Sequence, residues 1–313
     1  MATSVLARRI SIAGKRRSEG AARWVTMLGA AALLAVLGFM LVVLIQASMP
    51  VWRTHGVGWI VGRAWAPAQG QFGALPFIFG TIVTSAIGLL LAAPIGLGTA
   101  LFVSELAPAR IRRPVANVLD LLAAVPSVIY GLWGIYVLSH VLRPVEQWLS
   151  NHLGFIPIFS GTAVGPSFLL AGILLTIMIL PTVSAVSREV FLTIPRDARE
   201  AAYALGATRW EVIRMGILPP ARAGIVGALI LGLGRALGET IAVTMVIGNA
   251  PTISKSILVP GYTMASVIAN EFQDALEPLH REALIAIGLV LFAIALLVDI
   301  AARLLVRRAA VQS

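Results

Sequence analysis

An arginine and a glutamate four residues apart stand inside the apolar run from Ala223 to Asn249, within Gly232-Leu-Gly-Arg235-Ala-Leu-Gly-Glu239-Thr240. Read as one helix, this run is long enough to cross a bilayer, which places a guanidinium and a carboxylate at membrane depth. An ionisable group there costs roughly 2.5–3.5 kcal/mol on insertion scales, so function is the first explanation to weigh. On a continuous helix the two side chains share a face and can pair. Arginine suits an anion, because its planar fork offers several donors and stays charged. The bland alternative is a structural ion pair that touches no ligand. Arginine preceding glutamate by four is the less favoured order along a helix, so helix stabilisation alone is a poor reason to keep it. Charge limits the functional reading as well. If both groups are ionised they sum to zero, and an anion path then needs positive groups from another chain, or a step that parts the two. The expectation is that Arg235 lines a path gated by Glu239. Gly234 and Gly238 share the small-xxx-small spacing that lets another helix approach closely.

The rest of the chain must account for a charged pair in an apolar span. Of 313 residues 58% are apolar and 12% charged. A soluble domain carries about 25% charged residues, so the composition predicts an all-α polytopic membrane protein. No cysteine is present, which excludes disulfides and thiolate chemistry. His55, His140, His152 and His280 have no helical metal-ligand spacing, so no metal site is expected. No phosphate-binding Gly-x4-Gly-Lys-Ser/Thr loop occurs. Nor does any nucleophile–base constellation, and the chain reads as a non-enzyme. The net charge of +10 reflects membrane topology rather than nucleic acid, because cytoplasmic loops are enriched in Lys and Arg.

Six apolar segments emerge in order. Residues 1–23 form a basic tail, read as a solvated cytoplasmic arm, and residues 24–75 hold the first span and an outer loop. The second span starts at Pro76 and is interrupted by Pro94, Gly96 and Gly98, which predicts a kink or packing site. The third runs from Val115 to about His140, the fourth from Ser167 to Ser187, the fifth is the opening stretch, and the sixth ends at Val306 before a short tail, 307–313. Eighteen Lys and Arg fall in alternate extramembrane segments and five in the others. That alternation predicts six spans with both termini cytoplasmic.

The segment 188–222 contains two helical pieces. The first opens at Pro195 and stops at Gly206, with Ala198, Ala201, Ala202 and Leu205 on one narrow face. The second opens on the capping box Thr208-Arg209-Trp210-Glu211 and is expected to end before Pro219-Pro220. A short helix with a small apolar face can pack on its own chain or lie in a partner's groove.

Glu200-Ala201-Ala202, then Gly206, then Leu218-Pro219, resembles the EAA loop of ABC importer permeases, and it stands before the penultimate span as in that family. One departure is Gly216 at the hydrophobic position two before Leu218, with Ile217 displaced by one. The resemblance implies a type I ABC importer permease fold, with a permease domain over 76–306 and a coupling loop, 188–222, that inserts into a cytoplasmic ATPase. Phe72-Gly73-Ala74-Leu75-Pro76, Pro126-Ser127-Val128-Ile129-Tyr130-Gly131 and the stretch extended to Gly248-Asn249 are similar to phosphate-specific importer permeases, the PstC branch rather than PstA. That branch implies uptake of inorganic phosphate in a bacterial cytoplasmic membrane. It implies as partners a second, PstA-like permease, two copies of an ATPase subunit and an extracytoplasmic phosphate-binding protein. ATP and Mg would be bound by the ATPase, with no cofactor on this chain and no nucleic acid involved. The alternatives are a permease for sulfate or molybdate and an ion-coupled secondary transporter. The latter commonly shows inverted repeats, and the two halves of this chain carry no convincing repeat.

Overall fold

The computed structural model describes residues 2–162 and 164–311, with side chains for 23–304 apart from those of 163, 196 and 198. Among the described residues six helices are long and apolar enough to cross a membrane: Arg23–His55, Leu75–Leu106, Ser127–Leu153, Phe168–Thr193, Arg209–Gly238 and Pro278–Leu304. The number agrees with the charge alternation. The boundaries differ where the chain departs from regular α-helix.

Helix α1 (Ala2–His55) begins inside the basic segment. Composition alone suggests an unstructured arm there, but Ala, Leu, Arg and Lys are good helix formers and no proline precedes Pro50. The side chains of the first 22 residues lie outside those described. After α1, strands β1 (Trp65–Ala66) and β2 (Gln71–Phe72) form a small antiparallel hairpin. Helix α2 (Leu75–Leu101) ends in a π turn over Phe102–Leu106.

The third span needs correcting. Residues 115–140 are not one helix: α3 (Ala109–Ala124) is separate, and the span comprises α4 (Ser127–Trp133), a π turn over Gly134–Leu138 and α5 (Ser139–Leu153). Pro126 has no N–H to donate and excludes Val125 from the helical region, so Val125 is extended at φ −66°, ψ 128°.

Helix α6 (Phe168–Thr193) is the most buried span and packs alongside α2. Thr176 Oγ1 donates to the Gly88 carbonyl at 3.4 Å and Ser184 Oγ to the Gly96 carbonyl at 3.2 Å. Both bonds join residues 88 apart in sequence, so α2 and α6 run parallel and in register. Gly96 is one of the packing sites expected near Pro94, since a Cβ there would lie 2.9 Å from Val183 Cγ1. Polar bonds and small residues of this kind hold helices together where lipid supplies no hydrophobic drive.

Helix α7 (Arg196–Ala204) stops where Gly206 adopts φ +82°. Its neighbour α8 (Arg209–Glu211) has the expected capping box: Glu211 Oε2 accepts the Thr208 amide at 2.7 Å, and Thr208 Oγ1 accepts the Glu211 amide at 3.4 Å. This second piece does not end before Pro219-Pro220. It continues through a π turn over Val212–Ile217 into α9 (Leu218–Gly238). The prolines fall in the first turn of α9, where a missing N–H is tolerated. A π turn holds one residue more than an α turn, and it turns the displaced Ile217 fully into the core.

Beyond α9 come α10 (Ile241–Val246), α11 (Met264–Glu271) and α12 (Pro278–Val311). The loop between α10 and α11 folds back over the ends of α2 and α6. Phe168 and Leu169 donate backbone bonds to Val259 and Ile257, and the Met264 amide donates to Thr81 Oγ1 at 2.9 Å. A Cβ on Gly80 would overlap the Tyr262 carbonyl. The hairpin is fastened to this cap by a single carboxylate oxygen, Glu271 Oε2, which accepts Trp65 Nε1–H at 3.0 Å and contacts His280 Nε2 at 3.1 Å. Beside it, burial holds the Tyr262 hydroxyl well above its ordinary range, and the nearby Glu271 charge adds to the effect.

Candidate functional site

The fifth span is a broken helix, and the break falls between the two charged residues of interest. Helix α9 ends at Gly238, and Glu239 is extended at φ −69°, ψ 127°. Arg235 and Glu239 therefore do not share one helix face, and among the described residues no ion pair joins them. Each finds its own partner. Arg235 lies in the last turn of α9, where a cation offsets the negative helix end. Its Nη1 donates to Thr182 Oγ1 on α6 at 3.5 Å. Glu239 Oε1 accepts the Ala242 amide at 3.3 Å, answering one of the orphan donors that open α10. The chain then leaves α10 through Gly248 at φ +92° and Asn249 at φ +51°; Asn249 Nδ2 donates to the Thr244 carbonyl at 2.9 Å. Gly248 is pressed on by prolines, a Cβ there falling 2.8 Å from Pro260 Cβ.

Arg235 is exposed and opens onto a cleft of about 850 Å³ between α6, α9 and α12, otherwise mainly apolar. At the far side of this cleft Arg303 pairs with Asp299 at 2.7 Å. Gly234 lines the same cleft. Neither Gly234 nor Gly238 is approached by another element of this chain, for a Cβ on either would have nothing within 4 Å. The glycines of α9 that admit a neighbour are others: Gly224 against Val190, and Gly232, where a Cβ would lie 2.8 Å from Val183 Cγ2. The small-residue spacing was legible, but both phases of it occur on α9 and only the structure says which one meets α6.

At the other end of α9, α7 stands out from the bundle. Glu200 and Ala201 are exposed, and Leu205 is 89% exposed. Ala202 is half-buried against the cluster of Phe191, Ile194, Val212, Ile213 and Ile217. Ala201, Ala202, Leu205 and Gly206 border an open groove of about 670 Å³ with Met215 and Pro220. Leu218 and Pro219 start α9 beneath it. The side chain of Ala198 lies outside those described. Thus α7 packs on its own chain through Ala202 and leaves the face around Ala201 and Leu205 open. Asp120 is exposed on the separate helix α3, outside the third span.

Sequence reasoning missed three polar contacts. Thr182 was one hydroxyl among many. Glu146 on α5 is 1% exposed and accepts the Ser167 hydroxyl at 2.6 Å, while Ser167 Oγ accepts the Leu170 amide at the start of α6. The amphipathic pattern of 139–153, with one acid on its apolar side, was the available signal. Arg199 on α7 pairs with Glu105 at 2.9 Å, a contact across 94 positions that no local pattern announces.

These features define a polytopic membrane protein with a broken fifth span and a short, largely exposed helix, α7, ahead of it. The chain belongs to the family of binding-protein-dependent transport system inner membrane components, whose model matches residues 92–311. Within that family its similarity is to phosphate transport system permease proteins PstC. The chain is 43% identical over 288 residues to the one from Xylella fastidiosa (strain 9a5c), covering 88% of this chain and 89% of the relative. It is 42% identical over 287 residues to that of Haemophilus influenzae (strain ATCC 51907 / DSM 11121 / KW20 / Rd), covering 88% and 91%. It is 45% identical over 240 residues to PstC 2 of Mycobacterium tuberculosis (strain ATCC 25618 / H37Rv), covering 75% and 74%. Among solved structures it resembles a bacterial ABC transporter of alginate, crystallised with an alginate-bound periplasmic protein, with a TM-score of 0.60 at 17% identity over 91% of this chain and 95% of the other. The inward-facing MetNI methionine ABC transporter gives a TM-score of 0.55 at 19% identity, covering 79% and 99%. The shared fold is that of type I ABC importer permeases, in a multi-pass protein of the bacterial inner membrane.

Proposed function

We propose that this chain is the transmembrane permease subunit of an ATP-driven, binding-protein-dependent importer of inorganic phosphate. The observation that carries the substrate is the 43% identity to a phosphate permease over 88% of the chain. The exposed Arg235 at the helix break agrees with it, as a planar donor for an oxyanion. In this reading Arg235 lines the path in a cleft completed by a second, PstA-like permease, and Gly234 and Gly238 face that second chain. Glu239 shapes the break by capping α10, and acts on the path through the position it gives Arg235. Two cytoplasmic ATPase subunits bind ATP and Mg, and α7 with the groove around Ala201, Ala202 and Leu205 docks in a cleft of one of them. Both termini then lie in the cytoplasm. The cap formed by the loop before α11 and the β1–β2 hairpin faces outward, where a phosphate-binding protein delivers its ligand.

Co-purification from native membranes tests the assembly: the ATPase, a second permease and a phosphate-binding protein are expected with this chain. Uptake measured against excess sulfate and molybdate tests the substrate. Undiminished phosphate uptake supports the reading, and preferential transport of either competitor overturns it.

A further inference from the structure

Arg199 stands one residue before Glu200 on α7, and it is half-buried where Asp197, Glu200 and Ala201 are exposed. Its guanidinium reaches two other elements. Nη2 donates to Glu105 Oε1 at 2.9 Å and to the Phe191 carbonyl at 2.8 Å, while Nη1 donates to the Ile194 carbonyl at 3.1 Å. Phe191 lies in the last turn of α6 and Ile194 caps it, with the Ile194 amide also donating to the Phe191 carbonyl at 3.4 Å; helix-end carbonyls of this kind are open to side-chain donors. Glu105 lies in the π turn that closes the second span. A second arginine holds the same turn from α3: Arg112 Nη2 donates to the Ser104 carbonyl at 3.2 Å. Among the described side chains of α7, Ala202 makes the apolar contact with the bundle, packing on the cluster of Phe191, Val212 and Ile217, and such contact carries no fixed direction. The arginine and glutamate side chains are 19% and 15% exposed, so the pair is largely protected from salt screening. A hollow of about 380 Å³ beside the pair, bordered by Leu192 and Tyr203, leaves room for α7 to shift.

We propose that Arg199 is a positioning residue for transport coupling: through Glu105 it passes displacement of α7 into the end of the second span, and through that turn to α3. This rests on the reading of the chain as an ABC permease with α7 docked on the ATPase. Apolar contact alone lets α7 slide over the ends of α6 and α9. The charged tether makes the second span follow, and α3 lies between that span and the break at Pro126 that opens the third. One guanidinium thus links movement of the docking helix to two spans that do not touch the groove around Leu205.

The test uses the complete transporter in proteoliposomes, with phosphate carried and ATP hydrolysed measured together. Glu105→Ala removes only the link to the second span, leaving both α6 carbonyl bonds of Arg199 in place. It is expected to assemble and hydrolyse ATP, while phosphate carried per ATP falls about tenfold, within the range typical of coupling between sites. Arg199→Gln added to Glu105→Ala is expected to lower that ratio no further, and Arg199→Lys, which keeps the charge, to retain much of it. A wild-type ratio in Glu105→Ala overturns the proposal. So does a fall in transport and hydrolysis in equal proportion, the mark of a purely structural tie. Failure of the wild-type complex to take up phosphate with ATP is a separate outcome, and it removes the permease reading itself.

Discussion

Arg235 and Glu239 stand on opposite sides of a helix end, and neither answers the other's charge by contact. Arg235 Nη1 lies 3.5 Å from Thr182 Oγ1, and Glu239 Oε1 accepts the Ala242 amide at 3.3 Å. The break gives the arginine a helix C-terminus and the glutamate the start of a new helix. Their opposite charges are thereby accommodated without a salt bridge. Among the described residues no carboxylate is in ion-pair contact with the Arg235 guanidinium.

Arg235→Gln is therefore expected to depress phosphate uptake. A hydrogen bond to a charged group contributes about 1.5–3 kcal/mol, which corresponds to a loss of at least about tenfold. Arg235→Lys keeps the charge but not the fork and is expected to fall between the two. Uptake assays on complexes checked for assembly decide this, and normal transport by Arg235→Gln removes the residue from the path.

Glu239 separates a capping role from a gating one. Glu239→Gln keeps an oxygen for the Ala242 amide and is expected to preserve both fold and uptake. Glu239→Ala loses the cap at about 0.5–2 kcal/mol, visible as a lower unfolding temperature of the purified protein. If Glu239→Gln is as damaging to uptake as Arg235→Gln, the carboxylate charge itself gates the path.

The glycines of α9 divide by the side they face. Gly232→Leu drives a side chain into Val183 and is expected to destabilise the isolated chain by about 1–3 kcal/mol. Gly234→Leu meets open space within this chain and is expected to leave its stability unchanged. Co-purification with the second permease is expected to fail for Gly234→Leu. Intact pairing in that variant turns this face toward lipid.

The contact between the β1–β2 hairpin and the cap over α2 and α6 depends on Glu271. Glu271→Ala strips the shared acceptor from Trp65 and His280, both in half-buried surroundings, and is expected to cost about 1–3 kcal/mol. Thermal unfolding in detergent checks it, with Glu271→Gln restoring much of the loss because its amide oxygen still accepts. An unchanged midpoint in Glu271→Ala indicates that aromatic packing alone holds the hairpin.

Composition and charge alternation made the number of spans legible, because burial in lipid demands long apolar runs and the topology leaves its mark in Arg and Lys. The ends of α7 and the capping box at Thr208 were equally legible, since Pro195, Gly206 and the Thr208/Glu211 pair act locally. What stayed hidden was departure from α-helix inside apolar runs. Three of the six spans carry π turns, and nothing in their composition marks them. The break at Glu239 follows Gly238, but Gly234 precedes it with the same residue and no break. Pro126 was a readable stop, masked by the apolar residues on both sides of it. Long-range polar ties such as Arg199–Glu105 depend on how spans pack, and a single sequence holds no record of that.

Radiolabelled phosphate uptake into proteoliposomes decides whether this chain carries ATP-driven phosphate import. The purified complex is reconstituted with the phosphate-binding protein on one face and ATP on the other. Accumulation that needs both, and that excess sulfate does not suppress, is the predicted result. Uptake that persists without the ATPase, driven by an imposed proton or sodium gradient, contradicts it.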